Sequence, residues 1–306
     1  CILPHISSFI KYIIVMKLLL FLRKHELAAS ILLILVSATL LVYPIVSNYI
    51  FEHRVDSLIS TYARDTAALD TAELDAMRKQ AADYNAALAN GRVKLSDPFE
   101  KSGENTLFDD YSVLLCTSST GIMSYIDIPK IDVFLPVYHG TEAKTLENGV
   151  GHLEGSSLPI GGESPHCVLS AHTGLNHAKL FTDLTELKEG DLFFLHTLGE
   201  TLAYEVDQIL VVEPYDCSAL GVEPGKDYCT LVTCTPYGVN SHRLLVRGKR
   251  VPYEESIVSR VDSSEEEVPV TSQWLREYAH AFAVGVILVT VMLLAFLVYG
   301  KWGKKQ

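Results

Sequence analysis

The sequence predicts an all-β barrel that is preceded by helices and flanked by two transmembrane helices. From Gly121 onward, short apolar and β-branched runs are separated by turn residues such as Gly, Pro and Asn. Many short strands with turns between them are typical of a β-barrel. Near each end of the chain, an apolar stretch of about 20 residues or more lacks charged side chains, and this length suffices to cross a bilayer as a helix.

The first apolar stretch, 27–50, is interpreted as an uncleaved anchor, because it is too long for the apolar region of a signal peptide and lacks a clear cleavage site. The second stretch covers 279–300. Basic residues flank both stretches on the side of the chain ends: Lys11, Lys17, Arg23, Lys24, Lys301, Lys304 and Lys305. The positive-inside rule then places the terminal segments 1–26 and 301–306 in the cytoplasm and the middle of the chain outside. Met16 is an alternative start of the chain.

A helical segment is predicted over 51–94, where apolar residues recur at mostly helical intervals among Ala, Gln and charged residues. Either Asp70 or Thr71 is expected to cap a second helix, since Glu73 follows in its first turn. We therefore expect two helices lying against the barrel. A polar loop over 95–105 comes next.

The barrel is expected over 106–255, and seven of its strands can be placed from their residues. These strands are Ile122–Ile128, Ile131–Tyr138, His166–Ala171, Asp191–Thr197, Ala203–Val212, Cys229–Cys234 and Leu244–Lys249. Asn148–Glu154 is expected to be a short helical or irregular crossing, and Leu180–Leu187 a helical turn. An acidic, flexible linker over 256–278, which contains three consecutive Glu residues, leads to the second anchor.

The charge of the chain excludes some partners. Its net charge is −12, and the basic residues at the two ends make the segment between the anchors more acidic still. Nucleic acids and anionic lipids attract basic surfaces, so neither is expected as a partner. The acidic middle of the chain is consistent with a soluble domain outside the membrane.

The six cysteines do not form a disulfide framework or a zinc motif. A C-x-x-C pair is absent, and the spacing of Cys229 and Cys234 does not match a zinc site. No carboxylate cluster has the pattern of a calcium loop, so we expect neither a metal nor another cofactor. A disulfide between Cys217 and Cys229 is possible outside the cell, but free buried thiols are the preferred interpretation.

Cys234 is the candidate nucleophile. It ends the run Thr230–Cys234, which predicts a strand that delivers a thiol to its exposed end. Arg243 follows nine positions later, near the start of the next strand. A cysteine nucleophile needs fixed positive donors for a developing oxyanion, and Arg243 is a suitable donor. On a regular strand Arg247 points to the same face as Arg243, so spacing alone does not choose between them.

His172 is the candidate base. It follows the apolar run Cys167–Ala171, and so it also stands at the end of a predicted buried strand. The other histidines have weaker settings in loops or at strand starts. Separated Cys and His residues of this kind indicate a cysteine enzyme, and spacing alone does not identify which kind.

These segments resemble the sortase family. Thr230–Arg243 resembles the sortase signature T-L-x-T-C with an Arg about nine residues on, and Ser170–Gly174 resembles the sortase histidine segment. Further similarity in Ala178–Leu184 and Cys234–Gly248 is to the class C, pilus-assembling branch, and the resemblance covers about 95–255. It implies an eight-stranded barrel in which Cys234 is the nucleophile, His172 the acid and base, and Arg243 the donor to peptide and oxyanion. It also implies a substrate contact by Thr233.

The resemblance implies a transpeptidation reaction on pilins. The thiol would attack the Thr carbonyl of an L-P-x-T-G-like sorting signal, and the Gly amine would leave from a thioacyl enzyme. A lysine amine of another pilin would then form an isopeptide bond. The implied partners are proteins with such a sorting signal, and no cofactor is implied.

Asp97, Pro98 and Phe99 resemble the class C lid, in which an acidic residue pairs with the active-site Arg and an aromatic ring covers the thiol. The alternative is an ordinary Asp-Pro turn. If the ion pair is exposed, it contributes about 0–1 kcal/mol, whereas burial of the ring contributes about 1.5–3 kcal/mol. Phe99 is therefore expected to be the stronger contact.

Two other functions remain open at this point. One is a sortase that attaches proteins to a peptidoglycan amine in the cell wall instead of polymerising pilins. The other is an anchored barrel that binds peptides without catalysis.

Overall fold

The computed structural model describes residues 26–90, 95–99, 111–117, 120–175, 178–253, 276, 278–287 and 289–291. The chain divides into two compact units, Cys1–Ser47 and Asn48–Gln306. Of the predicted lid, 95–105, the structure describes only 95–99. Most of the predicted acidic linker and the end of the predicted second anchor lie outside the described residues.

The first unit contains the start of a long helix, α1, which runs over Glu26–Ala68. Within the described residues this is the one helix that is long and apolar enough to cross a membrane, over Leu32–Ala68. Its apolar side chains between Leu32 and Ile50 are largely exposed, as a membrane span requires. A shorter apolar helix covers Tyr278–Val291 and overlaps the predicted second anchor.

In the second unit, α1 buries a stripe of side chains at helical spacing. The stripe consists of Phe51, Val55, Ile59 and Tyr62, which lie three or four residues apart and so share one face. The Tyr62 hydroxyl donates to the backbone oxygen of Met123 over 3.1 Å. The barrel thus holds α1 by apolar packing and by a buried hydrogen bond.

Helix α2, Thr71–Asn90, begins with a reciprocal cap. The Asp70 carboxylate accepts the Glu73 amide over 2.8 Å, and the Glu73 carboxylate accepts the Asp70 amide over 3.0 Å. This arrangement satisfies two amides that a helix start would otherwise leave unpaired. Of the two predicted cap residues, Asp70 is therefore the one that caps the helix.

Eight strands form a closed barrel, which confirms the predicted fold class. The strands are β1 Ile122–Ile128, β2 Val133–His139, β3 Val150–His152, β4 His166–Ser170, β5 Leu192–Thr197, β6 Glu200–Val212, β7 Tyr228–Thr235 and β8 His242–Val251. Around the barrel their order is β1-β2-β3-β4-β7-β8-β6-β5. Two neighbouring pairs, β2–β3 and β4–β7, are parallel, and the other pairs are antiparallel.

Strand β3 corrects the sequence prediction for Asn148–Glu154. The helix in this region, α3, lies earlier, over Ala143–Asn148, and the strand follows it directly. A Cβ atom on Gly151 would stand 2.4 Å from the Gly140 oxygen, so only glycine fits there. A three-residue strand that contains Gly offers too few β-branched residues to be recognised from sequence. The predicted helical turn over Leu180–Leu187 is a 3₁₀ helix at Thr182–Glu186.

The barrel wall separates two apolar clusters. The larger cluster fills the interior, reaches the buried stripes of α1 and α2, and takes Cys229 and Leu231 from β7. The smaller one, here called the outer cluster, contains Leu153, Val168, Leu220, Val232 and Leu245. Because side chains alternate along a strand, neighbouring residues of β7 belong to opposite faces of the wall.

Candidate active site

Strand pairing brings the three predicted catalytic residues together. In the parallel pair β4–β7, Ser170 is opposite Val232, and the same register carried two residues further sets His172 opposite Cys234. In the antiparallel pair β7–β8, Cys234 is opposite Arg243. Directly opposed residues direct their side chains to the same face. The thiol, imidazole and guanidinium therefore share the face of the outer cluster.

Backbone hydrogen bonds hold the His172 end of this arrangement. The Ala171 amide donates to the Val232 oxygen over 3.1 Å, which extends the pairing of β4 with β7 past the end of β4. The Phe181 amide donates to the His172 oxygen over 3.2 Å. His172 is thus fixed on both sides, by the barrel wall and by the chain that returns beside it.

Thr233, the predicted substrate contact, has its side chain on the inner side of the barrel wall. Its side chain is buried, and its hydroxyl donates to the Ala171 oxygen over 2.7 Å. As the neighbour of Cys234 on a strand, it faces the barrel interior. In the structure Thr233 therefore supports the residue that precedes His172, and its side chain does not reach the outer face.

Asp97 forms a buried ion pair with Arg243. Arg243 Nε donates to one carboxylate oxygen over 2.8 Å, and Nη2 donates to the other. The Asp97 side chain is fully buried, and that of Arg243 is 11% exposed. Arg243 Nη1 also donates to the backbone oxygens of Asn240 and His242, each over 3.2 Å. The ion pair is therefore bidentate and shielded, unlike the exposed pair assumed from the sequence.

Phe99 lies over two of the predicted catalytic residues. Its ring centroid is 5.6 Å from that of His172 and 5.1 Å from Arg243 Cζ. Its amide donates to the Asp97 carboxylate over 3.3 Å, so Asp97, Pro98 and Phe99 also form the local turn that was the alternative interpretation. The local turn itself therefore places the Phe99 ring against His172 and Arg243.

The environment of Cys234 favours the neutral thiol. Burial raises the pKa of Cys234, Arg243 lowers it, and Asp97 raises it. The net direction of the pKa shift is upward, because burial is the largest of the three effects and Asp97 offsets part of the effect of the guanidinium. In the structure the thiol is therefore partly buried and predominantly protonated at neutral pH.

Arg247 has a different setting from Arg243. It is opposite Thr230, away from Cys234, and its guanidinium binds Asp207 through two hydrogen bonds of 3.0 Å. It also lies over the Tyr228 ring at 4.1 Å. These contacts are those of a structural ion pair on the barrel wall.

One feature near the site was missed in the sequence. Asn240 has a positive φ of 60°, and its backbone oxygen accepts from Arg243. Asn is one of the few residues that adopt this conformation readily, and its position in the turn before β8 was the available signal.

Among the described residues, no group of three or more His, Cys, Asp or Glu is arranged to hold a metal ion.

Comparisons with known proteins point to one family. Residues 126–251 match the family model described as "Sortase domain". Sortase D of Bacillus subtilis is 36% identical over 170 residues, which are 54% of this chain and 82% of that protein.

Solved structures give the same result. Sortase C1 of GBS Pilus Island 1 is 42% identical with a TM-score of 0.60, over 66% of this chain and 94% of that one. Sortase C of Streptococcus pneumoniae, described with reference to pilin substrate specificity, is 44% identical with a TM-score of 0.59, over 64% of this chain and 97% of that one. These structural neighbours are class C sortases.

Proposed function

Because the chain belongs to the sortase family of cysteine transpeptidases, we propose that it cleaves an L-P-x-T-G-like sorting signal between Thr and Gly and joins pilins through lysine isopeptide bonds. The observation that supports this most is the alignment of His172, Cys234 and Arg243 across three adjacent strands. Similarity to structures described by pilus or pilin favours pilins as the substrate class. Membership of the family removes the non-catalytic barrel from consideration.

The first half of the reaction uses the thiol and the imidazole. Cys234 Sγ attacks the Thr carbonyl carbon while the thiol proton passes to His172. The C–N bond to Gly then breaks, His172 returns a proton to the leaving amine, and a thioacyl enzyme remains. Because Cys234 is largely protonated in the closed structure, a small thiolate–imidazolium fraction starts this step.

In the second half, a lysine amine of another pilin attacks the thioester carbonyl. His172 accepts the proton of this amine, the C–S bond breaks, and Cys234 regains its proton. Arg243 donates to the oxyanion in both halves, a role for which its fixed, charged donors are suited. One Thr–Gly peptide bond is thereby exchanged for one isopeptide bond, so the reaction needs no external energy source.

Substrate binding requires Arg243 to become available, so we assign the role of a lid to the predicted loop 95–105. Its described part, 95–99, uses both oxygens of the Asp97 carboxylate on Arg243 and places Phe99 over His172. A peptide cannot bind Arg243 while Asp97 occupies it. The closed enzyme is therefore a resting form, and opening of the lid precedes the first attack.

The proposed location is the outer face of the cell membrane. The apolar part of α1 is one anchor, the second is proposed over 279–300, and the segments 1–26 and 301–306 are proposed in the cytoplasm. The acidic linker 256–278 then connects the barrel to the second anchor outside the membrane. This topology presents the active site to secreted proteins.

The proposal is tested with the purified full-length chain and an L-P-x-T-G peptide. Mass spectrometry is expected to detect a thioacyl adduct on Cys234 and release of the Gly-bearing product. Cys234→Ala should abolish both, while Cys116→Ala, a matched control at another partly buried cysteine, should retain both. Activity above background in Cys234→Ala would disprove the assignment of the nucleophile.

The acceptor is tested in a competition experiment. A pilin-derived lysine peptide and a peptidoglycan stem peptide with a free amine are offered together after the adduct has formed. The pilin proposal predicts an isopeptide product with the lysine peptide. Preferential transfer to the stem peptide would instead show a cell-wall-anchoring sortase.

A further inference from the structure

Two cysteines outside the catalytic site face each other within the barrel wall. Cys167 of β4 and Cys229 of β7 are direct partners in the parallel register. Adjacent strands lie about 4.7–4.9 Å apart, within the span of roughly 4.4–6.8 Å between the Cα atoms of a disulfide. Both residues are almost completely buried.

We propose that Cys167 and Cys229 are a site of covalent modification, at which a disulfide joins β4 to β7 inside the barrel. In the structure both are free thiols. The oxidant is a disulfide, either of a thiol–disulfide oxidoreductase or of a small molecule. One thiolate attacks it and forms a mixed disulfide, the other displaces the second thiol, and two protons and two electrons leave with the two thiols released.

The surroundings of Cys167 favour it as the attacking thiol. Burial raises the pKa of Cys167, but the thiol of Cys229 and the neighbouring imidazole of His152 lower it, and the lowering effects prevail. His152 is itself held in place, since its Nδ1 lies 2.8 Å from the Tyr111 hydroxyl. Burial raises the pKa of Cys229. The pair thus combines one more nucleophilic sulfur with one that stays protonated.

The catalytic thiol is separated from this pair by the barrel wall. Cys229 belongs to the interior cluster with Leu231, whereas Cys234 lies an odd number of residues further along β7 and faces outward. Cys217, the partner considered for Cys229 from sequence, packs against the outer cluster instead. A disulfide inside the wall therefore leaves the nucleophile unmodified.

The bond would act on the two strands that carry the active site. Cys167 and Cys229 precede His172 and Cys234 by the same number of residues, and all four follow one register. A covalent link at this point fixes the pairing of β4 with β7, on which the alignment of imidazole and thiol depends. Since both sulfurs are buried in the closed barrel, the bond forms during folding, after β4 has paired with β3 and β7 but before the interior cluster closes over the two thiols.

This inference needs the oxidising location proposed above but not the transpeptidase reaction. The full-length chain is inserted into the membrane of a bacterial host with an oxidising periplasm, denatured with N-ethylmaleimide present, and mapped by mass spectrometry. A cross-linked peptide pair containing Cys167 and Cys229 is expected, and it should disappear after reduction. Digestion of the barrel by a protease added to intact spheroplasts of the same cells tests the location separately, without use of the proposed activity.

A second measurement gives the effect on stability. Reduction of the purified chain is expected to lower its melting temperature by about 5–15 °C, the usual range for loss of one disulfide in a domain of this size. Cys116→Ala should keep this response and Cys167→Ala should lose it. Recovery of Cys167 and Cys229 as separately blocked thiols, or a link from either one to Cys217 or Cys234, would overturn the proposal.

Discussion

Removal of the Asp97 carboxylate is expected to open the lid more than removal of the Phe99 ring. Asp97 is fully buried against Arg243, and removal of one partner of a buried pair costs about 3–5 kcal/mol. Arg243 keeps backbone acceptors at Asn240 and His242, so the lower end of that range, about 3 kcal/mol, applies. An exposed pair would have contributed about 0–1 kcal/mol.

The Phe99 ring contributes less than a fully buried aromatic side chain. It is only partly buried against the outer cluster, so about half of the usual 1.5–3 kcal/mol is expected from its burial. Its position near Arg243 adds about 0.5–1 kcal/mol. The order predicted from sequence, with Phe99 as the stronger contact, is therefore reversed by the burial of the ion pair.

The assay is the alkylation rate of Cys234 in the full-length chain, followed by mass spectrometry. A change of 3 kcal/mol corresponds to roughly a hundredfold change in the ratio of open to closed lid. Asp97→Ala should therefore speed labelling by up to about a hundredfold, and Phe99→Ala by a smaller factor of about 10 to 70. Labelling of Cys116 in the same samples serves as the internal control. Peptide turnover should rise or stay constant, because the lid obstructs the site and takes no part in the chemistry.

The pH dependence separates access from ionisation. Asp97 raises the pKa of Cys234, so Asp97→Ala should also shift the labelling midpoint to lower pH. The plateau rate at high pH, where the thiol is fully ionised, then reports access alone. Plateau rates within twofold of wild type in both variants would show that 95–99 is an ordinary turn. A larger effect from Phe99→Ala would show that the ion pair contributes no more than an exposed one.

Three further predictions follow from the described contacts. Arg243→Ala should lower kcat/KM by about 100-fold or more. Arg247→Ala should mainly lower the melting temperature, because it breaks the structural ion pair with Asp207. Equal losses of activity in the two variants would contradict the assignment of Arg243 as the oxyanion donor. Thr233→Val, which leaves the oxygen before the catalytic imidazole without its donor, should lower kcat about tenfold with little change in KM, and Thr233→Ser should restore it; unchanged kcat in Thr233→Val would refute the positioning role. Burial lowers the pKa of His139 from 6.5 to about 4. As the pH falls from about 6.5 towards 4, this imidazole is therefore protonated in the unfolded chain before it is protonated in the folded one, and the free energy of unfolding decreases. In thermal unfolding, His139→Phe should reduce this acid sensitivity and a control at the exposed His53, His53→Gln, should not; equal slopes in all three proteins would contradict the prediction.

The sequence was sufficient to predict the ends of the strands that carry the site. Cys234 and His172 each follow an apolar, β-branched run, and turn residues interrupt the chain directly after them. Such local patterns predict where a strand ends and which residue it exposes. Because side chains alternate along a strand, the sequence also indicates that the side chain of Thr233, the neighbour of Cys234, faces the other side of the wall.

Features that depend on the register between distant strands could not be predicted. The pairing of Cys167 with Cys229 exists only because β4 and β7 are parallel neighbours with β5 and β6 between them in sequence. The burial of Asp97 likewise depends on how 95–99 packs on a surface formed much later in the chain. Residue types indicate that an ion pair is possible, but only the packing decides its dielectric environment and hence its strength.

The position of the proposed active site on the outer side of the wall explains how the proposed lid can open without loss of the fold. The lid packs against the outer cluster, whereas the larger cluster fills the barrel interior. Opening therefore exposes Phe99 and a small apolar surface and leaves the interior packing intact, which gives a local transition well below the free energy of global unfolding. The same division gives the two cysteine environments separate roles, with Cys234 on the face that the lid controls and Cys229 on the face that the barrel keeps closed. A peptide that competes with Asp97 for Arg243 needs to offset only the local contacts of the lid.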